Sequence, residues 1–389
     1  MFKHISRVVW ILSVVSLFTD VASEMLYPVM PIYLKSIGFS ILIIGLLEGL
    51  AEATASLSKG YFGKLSDATG KRLPFVHVGY ILSAIAKPMI VFFTYPVWIF
   101  FVRTTDRFAK GIRTGARDAI LSDEATPATK GTVFGFHRAM DTIGAAIGPT
   151  LALVYLYFHP GNYVTLFYIA FIPGVLAIIT TLFLREKKKM IEPVHEKVSF
   201  FSFLKYWKQS PKVYRQLLIG LLLFTLFNSS DVFLLLKAKD AGLNDTHVIG
   251  IYIFYNMIFA LFAFPVGTLA DKIGLKKMFI IGLGLFSIVY FGFSFNTNMT
   301  VFLVLFFLYG LYASATEGIS KALISNITDK KDTATAIGTF SALQSICTLI
   351  ASSLAGFIWY SFGARYLFIL SAIMALVVMI YLAVMKDKN

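Results

Sequence analysis

Long apolar runs separated by short polar loops dominate the sequence. A helix of roughly 20 apolar residues is long enough to cross the hydrocarbon core of a membrane. The chain contains twelve such runs, which we number as spans one to twelve. They fall at residues 8–34, 41–58, 75–95, 97–112, 131–157, 164–184, 216–236, 247–268, 278–294, 299–320, 334–360 and 366–385. The pattern predicts an all-α membrane protein whose two termini lie on one side.

A polar segment at 185–215 interrupts this pattern near the middle of the chain. It separates spans one to six from spans seven to twelve. We therefore expect two six-helix bundles, at 1–184 and 216–389, joined by a linker. The second part of this segment alternates aromatic residues with lysines, and we interpret it as linker rather than as a helix on the membrane surface.

The two halves repeat each other. Three residues of the loop after span two recur after span eight, each 204 positions later; the pairs are Gly63 and Gly267, Asp67 and Asp271, and Gly70 and Gly274. The register extends to two further pairs, Gly38 with Gly242 and, at an offset of 203, Ala119 with Ala322. Parallel repeats of six spans are typical of secondary transporters, whose substrates bind between the repeats. The repeat therefore predicts a transporter with a pseudo-two-fold axis along the membrane normal.

Composition and charge agree with this architecture. Only 14% of the residues are charged, against roughly a quarter in ordinary soluble domains. Most of the 35 lysines and arginines lie at the termini and in the loops of one side, whereas the opposite loops hold Lys35, Lys237, Lys239 and Arg365. The positive-inside rule places the basic side in the cytoplasm. The net charge of +14 is thus a topology signal, and we expect no nucleic-acid partner.

Three motifs resemble the major facilitator superfamily. The loop from Gly63 to Arg72 is similar to its G-x-L-x-D-x-x-G-K-R signature, and the loop after span eight is similar to a second copy. R-F-A-K-G at 107–111 resembles the R-x-x-x-G segment of span four. G-A-A-I-G-P at 144–149 resembles the G-x-x-x-G-P motif of drug/proton antiporters. The resemblance implies the twelve-helix major facilitator fold, a cavity lined by spans one, four, seven and ten, and a loop that latches the cytoplasmic side.

The chemistry of the latch loop is consistent with that role. Gly63 and Gly70 permit a tight turn and a close approach of helices. Asp67 can accept backbone N–H bonds at a helix N-terminus, where a carboxylate is favoured. Lys71 and Arg72 are expected at the lipid headgroups. We assign the same gating role to the second copy, which contains Gly267, Asp271 and Gly274.

Carboxylates inside the spans are candidate proton carriers, because a charge at the membrane centre costs about 2.5–3.5 kcal/mol on insertion scales. Asp20 and Glu24 are four residues apart and share one face of span one. We interpret one of them as a proton-coupling group. The alternative is a permanent ion pair with an arginine of span four, either Arg103 or Arg107.

Glu48 and Glu52 in span two have the same spacing and are alternative proton carriers. Helix two contributes more to the contact between the halves, so the span-one pair is preferred. Arg138 and Asp141 in span five are three apart, and we interpret them as neutralising each other.

Further charged and polar residues are candidates for the substrate cavity. Arg107 is the leading one, because its guanidinium suits a carboxylate. The N-terminal half offers Arg103, Arg107 and Lys110, with Lys87 nearby, and the C-terminal half offers Asn228, Asp231 and Glu317. This basic lining favours anionic or zwitterionic substrates.

Two groups of residues are candidate helix kinks. Pro28 and Pro31 are expected to bend span one just beyond its carboxylates. Gly144, Gly148 and Pro149 are expected to thin and bend span five.

These observations predict a proton-coupled secondary transporter of the inner (plasma) membrane. We expect it to act as a monomer by alternating access, exporting a small organic or drug-like solute. The alternatives are uptake of a metal chelate, such as a siderophore, or of an organic anion, and flipping of a lipid headgroup. No nucleotide-binding loop or nucleophile–base motif is apparent, and the chain has one cysteine, Cys347. We expect no enzymatic activity, cofactor or metal site.

Overall fold

The computed structural model describes residues 5–39, 41–185, 199, 201–243, 245–296 and 298–385. Within these ranges every predicted span is helical. The helices of the N-terminal half are Arg7–Leu26 and Met30–Ser36 (span one), Ile41–Thr69, Leu73–Met89, Pro96–Asp123, Lys130–Phe158 and Tyr163–Thr181. Those of the C-terminal half are Lys212–Phe227 and Val232–Asp240 (span seven), Asp245–Ile273, Leu275–Phe295, Met299–Ile327, Thr333–Phe362 and Ala364–Val384.

Eight of the described helices are long and apolar enough to cross a membrane by length and composition alone. The other four spans fail these criteria for physical reasons. Spans two and four carry several charged residues, span three is only 17 residues long, and span seven is broken. All four nevertheless pack within the bundle.

The linker region contains a 3₁₀ turn at Ser202–Lys205 and a helical turn at Tyr206–Gln209, and the first helix of span seven begins at Lys212. The side chain of Phe203 is buried and lies against Gly60 of span two. This part of the linker therefore packs on the N-terminal half; residues 186–198 lie outside the described part.

The repeat appears in the backbone as well as in the sequence. Gly38 and Gly242 have φ angles of 94° and 96°, and Gly70 and Gly274 have φ angles of 65° and 103°. These angles lie in a region that side chains with a Cβ atom rarely adopt, so glycine is required at equivalent turns of both halves. Spans one and seven are also both interrupted, at 27–29 and at 228–231.

The two halves touch most extensively along two pairs of spans, two with eleven and five with eight. Span ten also contacts spans four and five, and span eleven contacts span four. Both of the extensive contacts tighten toward the side of the loops 70–72, 124–129 and 328–332. The sequence places most of its lysines and arginines on this side, which we call the basic side. A Cβ atom on Gly63 would overlap the carbonyl oxygen of Ala334, and one on Gly267 would overlap that of Gly131. The backbones are thus in direct contact, and the molecule is closed on the basic side.

Span five shows how the halves separate away from this closure. Near its basic end, Gly135 packs against Ala263 of span eight, in the other half. Further along, Gly144 and Gly148 pack against the Leu17 and Val21 carbonyls of span one, in its own half. The space between the halves therefore opens toward the side opposite the basic side.

Candidate functional site

Two aspartates fasten the basic side by binding helix N-termini of the other half. Asp67 accepts hydrogen bonds from the backbone N–H and the hydroxyl of Thr335, at 2.6 and 2.8 Å. Asp271 accepts them from the backbone N–H groups of Gly131 and Thr132, each at 2.7 Å. A carboxylate at a helix N-terminus satisfies orphan donors and interacts favourably with the helix dipole. We call these two contacts the latches.

The first latch has an additional cation. Arg72 lies 3.3 Å from Asp67 and 3.5 Å from Asp123 of span four, and it donates to the Lys330 carbonyl of the other half. The Arg72 side chain is buried, whereas Lys71 is exposed. Arg72 therefore belongs to the closure and does not lie at the headgroups, as the basic character of the loop had suggested.

A buried ion pair joins the halves beside the latches. The carboxylate of Asp118 in span four lies 2.7 Å from the Lys321 amine in span ten. Asp118 also pairs with Arg117 at 2.8 Å, and Arg117 donates to the Ser16 hydroxyl of span one. Only 1% of the Asp118 side chain is exposed. Spans one, four and ten are thus connected by one buried polar network.

A second ion pair joins the halves and is open to solvent. Arg138 of span five lies 3.2 Å from Glu317 of span ten, and their side chains are 37% and 47% exposed. The Arg138 guanidinium also stacks on Phe259 of span eight. Because the basic side is closed, the accessible surface of this pair faces the opposite side. Asp141 is instead 3.5 Å from His137, so the expected neutral pair of Arg138 and Asp141 is not the arrangement found.

The carboxylates of span one lie beside span five. Asp20 and Glu24 are half-buried. Gly144 lies close to the Cβ atom of Asp20, and Gly148 lies close to the backbone of Glu24. The charged groups that act most strongly on Asp20 are Asp141 and Lys110. The side chains of the alternative candidates, Glu48 and Glu52, lie outside the described part of the structure.

Two basic residues of the expected cavity lining lie inside the N-terminal half. Lys87 is buried 3.7 Å from Asp106, and the Ser83 hydroxyl donates to the same carboxylate at 2.7 Å. Arg103 is also buried and lines, with Lys87 and Asp106, a cavity of only about 20 Å³ among spans one, three, four and six. Arg107 is half-buried next to this group, and Lys110 is exposed.

The polar residues of span seven contact tyrosines of span ten. Asn228 donates to the Tyr312 hydroxyl at 3.0 Å, and Asp231 accepts from the Tyr309 hydroxyl at 2.6 Å. Both residues lie at the break between the two helices of this span.

The candidate kinks differ from each other. In span one the helix stops at Leu26 and restarts at Met30, with Pro31 in its first turn, so the chain breaks around Pro28. Span five continues as one helix through Pro149. Gly144 and Gly148 serve a close helix contact there, and the helix is not interrupted.

Similar proteins identify the family to which this architecture belongs. The family model of the Major Facilitator Superfamily matches the chain at residues 12–259 and 232–388. The chain belongs to the major facilitator superfamily. The predicted fold and the prediction of a membrane transporter that is not an enzyme are confirmed.

Three individual proteins are informative. An uncharacterised MFS-type transporter of Methanocaldococcus jannaschii is 33% identical over 363 residues, which are 92% of this chain and 89% of that protein. A multi-drug resistance efflux pump PmrA homolog of Lactococcus lactis is 24% identical over 365 residues, or 88% and 87% of the two chains. The crystal structure of the human organic anion transporter MFSD10 has a TM-score of 0.82 at 15% identity, covering 97% of this chain and 99% of that one.

Sequence reasoning missed two residues of this major facilitator protein, Asp118 and Lys321. They occupy equivalent positions, 203 residues apart, in the same register that pairs Ala119 with Ala322. Equivalent residues near a two-fold axis face each other. The two equivalent positions carry opposite charges, and this pattern in the sequence could have predicted the ion pair.

Removing one latch should loosen the closure of the transporter. In Asp67→Ala, the N-terminus of span eleven loses its cap, which is worth about 0.5–2 kcal/mol. We expect a Thr132→Cys reporter, placed on the other latch in a Cys347→Ser background, to react about 2 to 30 times faster with a maleimide. The labelling rate of purified protein checks this. Asp240→Ala, on the opposite side, is the control, and an unchanged rate in Asp67→Ala would contradict a closing role.

Proposed function

We propose that this protein is a proton-coupled secondary transporter of the inner (plasma) membrane that exports a small anionic or zwitterionic solute. The basic side faces the cytoplasm, and the two bundles, 1–184 and 216–389, rock about the substrate with 185–215 as their linker. Closure of the basic side gives an outward-open state. Release of the latches and of the Asp118–Lys321 pair gives the inward-open state.

The single observation that carries this proposal is the exposed ion pair of Arg138 and Glu317 between the halves. Charged side chains inside a membrane protein are costly, and those facing a water-filled space mark a solute path. Arg138 presents a guanidinium that can bind a carboxylate or phosphate with two hydrogen bonds. Glu317 supplies the opposite charge, so an amino-acid-like zwitterion fits the pair as well.

Export is favoured over uptake by two independent features. One is the sequence relative that is named a multi-drug resistance efflux pump. The other is the antiporter-like motif of span five, whose Gly144 and Gly148 pack directly on the segment of span one that contains Asp20 and Glu24. The carboxyl groups of Asp20 and Glu24 therefore lie next to span five, which also contacts the other half. Their protonation can thus act on the contact between the halves.

Asp20 and Glu24 are the proposed proton carriers. Two carboxyl groups on one face of a membrane helix cannot both remain ionised cheaply, so they titrate as a coupled pair. Lys110 and Arg107 of span four supply the positive charge whose approach releases the proton. Alternating exposure of the pair to the two sides then couples proton entry to solute exit.

The coupling is tested in proteoliposomes with an imposed pH gradient. The solute is first identified by thermal-shift screening of the purified protein against metabolites, metal chelates, antibiotics and lipid headgroup analogues. We expect Asp20→Asn or Glu24→Gln to abolish gradient-driven transport while substrate exchange continues, because exchange moves no net proton. Asp240→Asn is the matched control and should transport normally.

Three results would contradict parts of the proposal. Transport that is indifferent to a protonophore, or full coupling in both variants, excludes the span-one carboxylates. Accumulation driven in the opposite direction makes the protein an importer of a chelate or organic anion. Movement of a headgroup-labelled lipid, with no effect of soluble anions, makes it a flippase.

A further inference from the structure

The break in span seven is an oxygen-rich site inside the membrane region. Residues 228–231 are non-helical, between the helices Lys212–Phe227 and Val232–Asp240. The carboxylate of Asp231 is anchored by Tyr309, and the amide nitrogen of Asn228 by Tyr312, so both side chains face the same surface of span ten. The rings of these two tyrosines lie 5.2 Å apart. The interrupted segment is thus held against span ten by two side-chain contacts.

Two oxygens at this break have no hydrogen bond of normal geometry. They are the amide oxygen of Asn228 and the hydroxyl of Ser229, which is only 5% exposed and lies beside the Tyr290 hydroxyl. A buried polar atom without a partner costs free energy and calls for an explanation. The helix that ends at Phe227 also directs the negative end of its dipole and its last carbonyl groups at the break. All of these groups are acceptors that favour a cation.

The charges around the break leave a negative excess. The charged groups that act most strongly on Asp231 are Glu317 and Arg138. Arg138 is already paired with Glu317 at 3.2 Å, so the three residues together carry one uncompensated negative charge. The other neighbours, Tyr255, Tyr290 and Tyr309, are neutral hydroxyl groups. A single positive charge would balance the cluster.

We propose that the break in span seven binds a sodium ion, with Asp231, Asn228 and Ser229 as side-chain ligands. Unwound segments and C-terminal ends of half-helices are the features by which other transporter folds coordinate Na⁺. Hard oxygen ligands suit an alkali or alkaline-earth ion, and one carboxylate suits a monovalent one. No group of three or more histidine, cysteine, aspartate or glutamate side chains that could hold a metal occurs among the described residues, which disfavours a divalent transition metal.

The packing of the tyrosines excludes a larger cation. Tyr255 and Tyr309 have ring centroids 5.0 Å apart, and Tyr255, Tyr309 and Tyr312 are all buried. The rings therefore pack on each other and leave no face for an organic ammonium group. The site lies in the C-terminal half, away from the proposed proton carriers on span one, and its occupancy does not depend on how transport is driven.

The test measures Na⁺ binding by purified protein in detergent, without any transport assay. Thermal unfolding is followed while NaCl replaces choline chloride at constant ionic strength, and KCl is titrated in parallel. A ligand that binds only the folded state raises the melting temperature in a saturable way. We expect a saturable rise of several degrees with Na⁺ and a smaller effect with K⁺.

Two variants test whether the Na⁺-dependent rise in melting temperature comes from the break in span seven. Asp231→Asn should lose the Na⁺-dependent rise. The milder Ser229→Ala removes one neutral ligand oxygen and should need about tenfold more Na⁺ for half of the rise, at the lower end of the loss seen when groups around a metal site are changed. Asp240→Asn is the matched control and should respond like the unmodified protein. If Asp231→Asn fails to fold, Ser229→Ala and the wild-type titration still decide the question.

Three outcomes would overturn the proposal. Equal stabilisation by Na⁺, K⁺ and choline would be an effect of ionic strength. An unchanged Na⁺ response in Ser229→Ala and Asp231→Asn would place the ion elsewhere. Stabilisation by low pH in sodium-free buffer, with no response to Na⁺, would mean that Asp231 holds a proton. Failure of proton-driven transport leaves all three readouts intact, so the two proposals fail separately.

Discussion

The Asp118→Asn variant is expected to lose the closed basic side almost completely. Its carboxylate is the shared counter-ion of Arg117 and Lys321, at 2.8 and 2.7 Å. Neutralising it leaves two cations without that partner in a buried site, and breaking a buried ion pair in this way costs about 3–5 kcal/mol. A Thr335→Cys reporter in the Cys347→Ser background should then be labelled by maleimide about 100-fold faster or more.

The Lys321→Met variant is expected to weaken the closure of the basic side without lowering the stability of the fold. In this variant Asp118 keeps Arg117 within its own half, so the N-terminal bundle should retain its thermal stability. Only the contact with span ten is lost, and we expect the labelling rate to rise about 10- to 100-fold, as for a lost hydrogen bond to a charged group. Lys331→Met, at an exposed loop position, is the control. Equal melting temperatures and equal labelling in all four proteins would mean that the ion pair does not hold the halves together.

Enlarging Gly267 is expected to prevent closure by overlap of backbones. A Cβ atom there would meet the Gly131 carbonyl group and the Cα of Gly135, and neither can rotate away as a side chain could. Gly267→Val should therefore hold spans five and eight apart on the basic side. We expect the Thr335→Cys reporter on the distant latch to be labelled at the rate of a fully accessible cysteine, and transport to be lost.

Gly250→Val provides the matched control for this experiment. Gly250 lies in the same span as Gly267, but a Cβ atom there would have no neighbour within 4 Å. Both variants carry the same cost in helix propensity, so any difference between them reports the contact. Wild-type labelling in Gly267→Val would show that the halves can close without this approach of backbones.

The sequence was sufficient to predict the spans, the repeat and the latch loops. The apolar runs predict the helices. The glycines and aspartates that recur at a constant offset predict the position of both latches. The helix partners that Asp67 and Asp271 bind were not predictable, because Thr335 and Thr132 lie in the other half and carry no distinctive motif. Their roles follow only from the packing of spans two with eleven and five with eight.

The direction in which each charged side chain points inside the membrane region was the least predictable feature. Lys87 and Arg103 were expected along the cavity and lie inside the N-terminal half. Arg138 was expected to be neutralised within span five and instead reaches Glu317 across the halves. Spans three and five are largely apolar, so their sequences give no pattern that distinguishes a cavity face from a packed face. Span four carries many charged residues, but their spacing does not tell whether they meet the cavity or the other helices of their own half. Side-chain length adds to the problem, since arginine and lysine reach partners several residues away.

The ion pair of Asp118 and Lys321 has a consequence for how this protein could have arisen from a duplicated gene. Identical copies would have placed the same residue twice at this position, and two aspartates or two lysines facing each other across the axis would repel. Divergence of one copy would have turned this repulsion into attraction and would have made the two copies unequal. At this position the two different halves attract each other, whereas two copies of the same half would repel. A chimera with two N-terminal halves should therefore fail to close, even though every helix contact of its fold has a counterpart.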